Sequence, residues 1–225
     1  GQLSLAKYLL ICAHEDDPDL DVNDEEAFLI HLLERIDFKR DLHFTTRTTM
    51  DTLDYSTGHI HEGSKLVMAA AGAKKRELAA ALPAGLSLSP GFSDTRQVSR
   101  GMAVIKGPRF LDYQTASDEI GQLAELLAGW EGADQMPLMV IADDPEFTAR
   151  HFANFLWVTF SRSNPSHDVY GVNETVRFKH WSCRPPLIID ARIKPFHAKA
   201  LEPDKAIADK VKHMGRKGGP LYGII

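Results

Sequence analysis

Apolar residues along this chain fall in short runs separated by acidic or glycine-rich stretches, and the period changes from run to run. "KYLLICA" is almost continuously apolar, which suits a buried strand. The acidic "HEDDPDLDVND" after it reads as a turn, and Asp24 is placed to cap the segment "EEAFLIHLLERI". Phe28, Leu29, Leu32, Leu33 and Ile36 recur there at helical spacing, and the two leading glutamates suit a helix N-terminus. "DLHFTTRTT" alternates as a half-buried strand does, "LDYSTGHIHEG" reads as a loop, and "SKLVMAAA" as another strand.

The pattern then repeats. After a long connection come a strand in "GMAVIKG", a helix in "ASDEIGQLAELLAGW" and a buried strand in "PLMVIA". Asp144 precedes Pro145, the pairing of an N-cap with proline in the first turn, and predicts one helix through "PEFTARHFANFLWVTF". "HDVYGV" and "PLIIDA" complete the second set as strands. Arg35 and Arg162, Asp37 and Asn164, and Asp41 and Asp168 each lie 127 positions apart, so polar landmarks recur within the same element order. The expected fold class is α/β: a parallel-rich, Rossmann-like sheet flanked by helices, with two related strand-helix-strand halves at about 5–78 and 100–200 and a tail at 201–225. One sheet could draw strands from both halves, so residues 1–225 are treated as one body. "PAGLSLSPGFSDTRQVSRG" is the expected mobile segment.

Composition changes this picture little. Apolar residues make up 44% and charged residues 25%, ordinary values for a folded chain. The net charge of −5 offers no basic face for nucleic acid, and "LVMAAAG" is far too short for a membrane span. "GQLSLAKYLLICAHEDD" lacks a basic leader and cleavage pattern, so no signal peptide is expected, while Gly1 in first place suggests a fragment of something longer. Cys12 and Cys183 form no CxxC pair; a reducing, cytoplasmic setting without disulfides is the expectation.

Candidate chemistry concentrates near the C-terminus, in "KHWSCRPPLIIDARIKPFH". Asp190 ends a strand, where open α/β sheets collect ligands, and Arg192, Lys194 and His197 follow it. The competing reading is a salt-bridged strand end. His180 and Cys183 invite a nucleophile story, but nothing marks the thiol as activated. His59, His61 and Glu62 in "HIHE" lack a third ligand of known spacing, and Asp17, Asp19 and Asp21 begin an EF-hand pattern that fails at Val22 and Phe28. No metal is expected. Phosphate loops and the GxSxG elbow are absent; Gly63, Ser64 and Lys65 form only a small turn with open amides and a cation.

Several phrases taken together resemble the C-terminal region of UbiD-like (3-octaprenyl-4-hydroxybenzoate carboxy-lyase-like) aromatic-acid decarboxylases. They are the first strand, acidic turn and helix; Arg35, Asp37, Arg40 and Asp41; Leu53, Asp54 and Ser56; and Gly63, Ser64 and Lys65. "FLWVTFSRSNPSHDVYG", "KHWSC" and "LIIDARIKP" are similar to the tails of longer members. The resemblance implies a non-oxidative decarboxylase of an aromatic or unsaturated acid, using prenylated FMN with a divalent metal and potassium. It also implies that the flavin-binding domain, with the catalytic arginine and two glutamates, lies upstream and outside this chain. No cofactor is then expected on this chain alone, which would be inactive by itself.

On the same resemblance the chain contributes homo-oligomer contacts and an active-site wall, and quinone biosynthesis is the expected pathway, with aromatic degradation competing. A non-catalytic assembly or regulatory module is the alternative. "LVMAAAG" departs from the family's usual continuation, whereas "IIDAR" keeps an Ile-Asp-Ala pattern and shifts attention to Asp190 and Arg192. Lys65, Lys179, His180, Asp190, Arg192 and Lys194 are therefore the candidate contacts for a carboxylate substrate or cofactor phosphate, expected to line a positive cleft.

Overall fold

A computed structural model of the chain describes residues 5–198 and 204–224. Two sheets form, where one was expected. β1 (Tyr8–Cys12), β2 (Leu42–Thr49) and β3 (Glu62–Ala70) make a three-stranded sheet in the order β1-β3-β2. β4 (Ser93–Ser99), β5 (Met102–Lys106), β6 (Leu138–Ala142), β7 (Val169–Arg177) and β8 (His180–Asp190) make a five-stranded sheet in the order β4-β5-β6-β8-β7. Neither sheet is purely parallel. β1–β3, β5–β6 and β6–β8 run parallel, and each sheet carries antiparallel neighbours at its edges.

The helices are set by their caps. Asp24 accepts the Ala27 amide at 2.9 Å to start α1 (Glu25–Arg35), and Asp112 does the same for Thr115 at 2.8 Å to start α2 (Tyr113–Ala128). Asp144 caps α3 (Pro145–Arg150) through Phe147. The single helix expected from here breaks at His151, whose backbone is extended at φ −142° and ψ 142°. Its carbonyl starts α4 (Phe152–Ser161), and Asn154 Nδ2 ties back to Phe147 O at 2.8 Å. α5 (Pro165–Asp168) is a single turn leading into β7.

Helix α1 sits between β1 and β2, while α3, α4 and α5 sit between β6 and β7, so both β1-α-β2-β3 and β6-α-β7-β8 place their third strand between the other two. The turns before β2 and β7 share one detail. Asp41 Oδ2 accepts the Asp37 amide at 2.9 Å, and Asp168 Oδ2 accepts the Asn164 amide at 2.6 Å.

Alternating side chains of the five-stranded sheet feed two cores. Met102, Val104, Leu138, Val140, Leu187 and Ile189 face α1, α4 and β3, whereas Ala103, Ile105, Met139, Ile141 and Ile188 face α2. The inner strands β5 and β6 and the end of β8 are buried on both faces, which explains their near-continuous apolar runs. The 83–101 stretch, expected to be mobile, is pinned: β4 pairs with β5, Phe92 is buried, and Trp130 Nε1 donates to Ala84 O at 2.9 Å. Pro185 and Pro186 lie within β8, where the ladder skips from Gly171↔Leu187 to Val172↔Arg184 because proline has no N–H to donate. Among the described residues, no helix is long and apolar enough to cross a membrane.

Cys183 packs directly over Gly171, where a Cβ would lie 2.3 Å from Cys183 Cβ and 2.4 Å from its Sγ. The substitution Gly171→Ala should therefore force β7 and β8 apart at the cost of about 2 kcal/mol or more. A lowered urea midpoint with an unchanged slope would register the loss.

Candidate functional site

At the C-terminal end of β8, Asp190 grips Arg192 in a two-pronged ion pair, Nε to Oδ1 and Nη2 to Oδ2 each at 2.9 Å. Arg192 Nη1 reaches across to Glu119 Oε2 of α2 at 2.7 Å and to Pro108 O at 3.0 Å. Gly107 makes room for this arm, since a Cβ there would lie 2.8 Å from Arg192 Cδ. Lys194 Nζ donates to the carbonyls of Asp190, Arg162 and Arg192 at 3.0, 3.2 and 3.3 Å, and it stands 3.2 Å from Asp168 Oδ1. The Phe110 ring lies 5.7 Å from the Arg192 guanidinium and 5.3 Å from the Lys194 ammonium. Asp168, Asp190, Arg192 and Lys194 are closed to solvent. Burial pushes Asp168 up to about 7, against the pull of Lys194.

This arrangement corrects the expected positive cleft. Arg192 and Lys194 spend their donors on carboxylates and carbonyls inside the protein, so neither presents a free N–H to an incoming phosphate. Lys179 is exposed at the tip of the β7–β8 hairpin, and His180 Nε2 donates to Lys39 O at 3.1 Å. They stand at the opposite end of an 11-residue strand from Asp190, roughly 33 Å away. Lys65 lies on β3 of the other sheet, opposite Thr45. The six candidates thus occupy three separate places.

The Gly63-Ser64 turn is likewise committed. The Ser64 amide donates to Asn164 Oδ1 at 3.1 Å, and Ser64 Oγ accepts the Ser166 amide at 2.8 Å. A Cβ on Gly63 would sit 2.4 Å from Met50 Cγ. Burial pushes the Cys183 thiol upward, so it is inert packing, and Cys12 rises to about 11 for the same reason. His59 and His61 lie in the turn before β3, and among the described residues no group of three or more His, Cys, Asp or Glu could hold a metal ion.

An open cleft of about 1110 Å³ lies beside the Lys194 clasp, between β1, the 51–55 loop and α4. Lys7 Nζ pairs with Asp54 Oδ2 at 3.0 Å at one side. Burial pulls the Lys7 ammonium below its ordinary range against the attraction of Asp54. For Asp54 burial acts upward, but Lys7 and the Ser56 amide outweigh it and hold the carboxyl low. Tyr8 OH meets Ser163 Oγ at 2.7 Å, and its ring packs edge-on against Phe160 at 4.8 Å. Arg162 stacks 5.1 Å from the Trp157 ring. His197, one of the expected binding residues, does line this cleft; its Nδ1 accepts the Lys194 amide at 3.2 Å. Burial, with Lys194 and Arg162 close by, pulls His197 down to about 4. Lys7, Tyr8 and Trp157 carry no signal in the sequence beyond a lysine at a strand start and one aromatic on the outer face of a helix.

The chain has relatives. Residues 1–70, which end where β3 ends, match the 3-octaprenyl-4-hydroxybenzoate carboxy-lyase C-terminal domain. An uncharacterized protein of Chlamydia trachomatis is 32% identical over 215 residues, covering 94% of this chain and 34% of the relative. A 4-hydroxybenzoate decarboxylase subunit of Chlamydia pneumoniae is 28% identical over 211 residues, covering 94% of this chain and 33% of the relative. The chain therefore spans about a third of the length of the curated relatives it matches. Among solved structures, the vanillic acid decarboxylase of Sedimentibacter hydroxybenzoicus overlaps 75% of this chain and 44% of its own at 13% identity, with a TM-score of 0.31, too slight to carry an argument. The match over 1–70 and the named relative support a UbiD-like C-terminal region, in keeping with the sequence motifs.

Arg192→Met leaves the Asp190 carboxylate buried without its partner and should cost about 3–5 kcal/mol in urea unfolding. His197 stays neutral in the fold while the unfolded chain takes up a proton near pH 6.5. It therefore contributes stability above that pH that is lost as pH falls towards 4, by about 1–2 kcal/mol once screening by solvent is allowed for. Asp168 acts with the opposite sign, losing stability as pH rises from 3.8 to about 7. The difference between the melting curves of the native chain and His197→Phe, measured from pH 4 to 7, isolates the histidine.

Proposed function

We propose that this chain is the C-terminal part of a non-oxidative decarboxylase of an aromatic or unsaturated acid. Within it the chain acts as a scaffold that makes oligomer contacts and walls the active site. The observation that carries this reading is what the motif residues do. Asp37 and Asp41 close the turn into β2; Asp54 holds Lys7 and the Ser56 amide; Ser64 ties the first sheet to Asn164 and Ser166. All are spent on architecture, and the strand-end cations are spent in the same way. Reacting groups are then supplied by the upstream part, which the length of the relatives leaves room for.

Prenylated FMN with its divalent metal and potassium is assigned to that upstream part. Of the donors that the sequence offers for its phosphate, Arg192, Lys194 and the Ser64 amide are already bonded, and Lys179 stands beyond the other end of β8. A hydroxybenzoate-type acid is the favoured substrate class, since the matching domain and the Chlamydia pneumoniae relative both carry that word in their names. Quinone biosynthesis is the pathway in keeping with the domain's description. The shared strand order and the matched Asp41 and Asp168 turns favour an origin by duplication of one Rossmann-like unit.

The test is carbon dioxide release from a panel of hydroxybenzoates. The full-length protein should release it, deletion of this segment should abolish release, and the segment alone should show none. Undiminished activity without the segment would overturn the scaffold role, and activity of the segment alone would overturn the division of labour.

A further inference from the structure

Lys179 and His180 belong to a feature that the strand-end cluster leaves unused, the far end of the β7–β8 hairpin. Arg177 pairs with His180 across it, so Phe178 and Lys179 alone make the turn. Both have positive φ, 51° and 66°, as a two-residue turn of this hand requires. Glycine and asparagine adopt that backbone with little strain, whereas a phenylalanine and a lysine hold it at a cost in stability. Burial does not offset the cost, since Phe178 is 90% and Val176 71% exposed. Among the described residues nothing accounts for a strained turn that holds a large apolar side chain in water.

Beneath the tip lies a groove of about 410 Å³ between β2 and the hairpin. Leu42, Phe44, Pro165 and Trp181 are among its apolar members, and the Phe44 and Trp181 rings meet edge-on at 5.2 Å. His43, Lys179 and His180 also line it, and no carboxylate does. Glu174, the acid on β7, is taken up by the Gly171 amide and the Trp181 indole. Arg177 lies over the Phe178 ring at 5.2 Å, and among the described residues neither it nor Lys179 makes an ion pair. In a chain with 26 lysines and arginines against 31 carboxylates, this is a local surplus of positive charge. The two strands that border the groove, β2 and β7, each end their sheet, and among the described residues no strand pairs with their outer edges.

We propose that the groove and the hairpin tip bind an extended acidic segment of another protein, with apolar or aromatic side chains at alternate positions. Its carboxylates meet Arg177 and Lys179, its apolar side chains enter among Phe44, Val176 and Trp181, and its main chain adds to an open strand edge. From Leu42 to Thr46 the β2 border runs about 14 Å, so about five to seven residues fill it. A lipid surface would reach the Phe178 tip and leave the floor of the groove uncovered, whereas a single extended strand covers both. This goes beyond the scaffold reading, and its test reads peptide binding, so it stands or falls separately from decarboxylation.

The experiment titrates the full 225-residue chain into a fluorescein-labelled synthetic peptide, SDEFEVDS, followed by anisotropy. The peptide should bind, added salt should weaken it, and the uncharged counterpart SNQFQVNS should bind about tenfold more weakly. Phe178→Asn with Lys179→Gly installs the residues this turn favours, so melting should hold level or rise while affinity for the acidic peptide falls about tenfold. Arg177→Glu with Lys179→Glu should transfer binding to the lysine counterpart SKKFKVKS. No binding of the acidic peptide, equal affinity for all three peptides, or undiminished binding by the turn variant would each overturn the proposal. So would tip-dependent sedimentation with phosphatidylserine vesicles by a chain that ignores the peptides.

Discussion

Charged side chains removed from water at the end of the central sheet constrain much of this molecule. Asp168, Asp190, Arg192 and Lys194 are closed to solvent, and an isolated ion there would cost several kcal/mol. Each therefore needs partners, and the partners arrive from elsewhere: Glu119 from α2, Pro108 from the segment before it, the Arg162 carbonyl from the end of α4. A buried ionic cluster of this kind is a weak source of net stability, since apolar groups of equal volume often do as well. What it supplies here is position. α2, α4 and β8 can meet in one arrangement that leaves no charge alone.

The junction between the two sheets obeys the same rule on a smaller scale. Ser64 is fully buried and must both donate and accept, and Asn164 and Ser166 provide for both. The Cys183 amide crosses to Phe38 O at 3.2 Å, adding a backbone tie between the segment after α1 and β8. Gly63 is needed because Met50 occupies the space of a side chain. A turn that looks suited to phosphate in the sequence is thus shaped by packing and by the need to satisfy a buried hydroxyl.

Local patterning makes much of the fold legible. The runs of β1, β6 and β8 and the periodicity of α1 and α2 are strong because each buries a continuous face or stripe. β4 escapes it because "SDTRQVS" is a largely polar edge strand, paired on one side and without an apolar face to reveal it. The break at His151 escapes it because apolar residues continue through, and only the extended backbone there separates α3 from α4. The split into two sheets depends on pairings between distant segments, to which local periodicity is blind. At the candidate site the residue types of the strand end are readable. Their state is not, because Glu119 is 73 positions from Arg192 and Pro108 is 84.

The cleft shows why buried pairing bears on function. A small carboxylate is held by donors that remain unpaired until it binds, and specificity in such sites comes from a few convergent polar groups. Here Lys7 faces Asp54, Tyr8 faces Ser163, and His197 Nδ1 accepts from the Lys194 amide, so these groups are paired before anything arrives, and among the described residues His197 Nε2 alone of the two ring nitrogens lacks a partner. What remains outward is apolar area with acidic residues near its edge. Such a surface gains more from burying area against another protein face than from ordering a small anion. On the scaffold reading, recognition of the acid then falls to groups in the remainder of the longer protein, and this region gives those groups a fixed frame to work against.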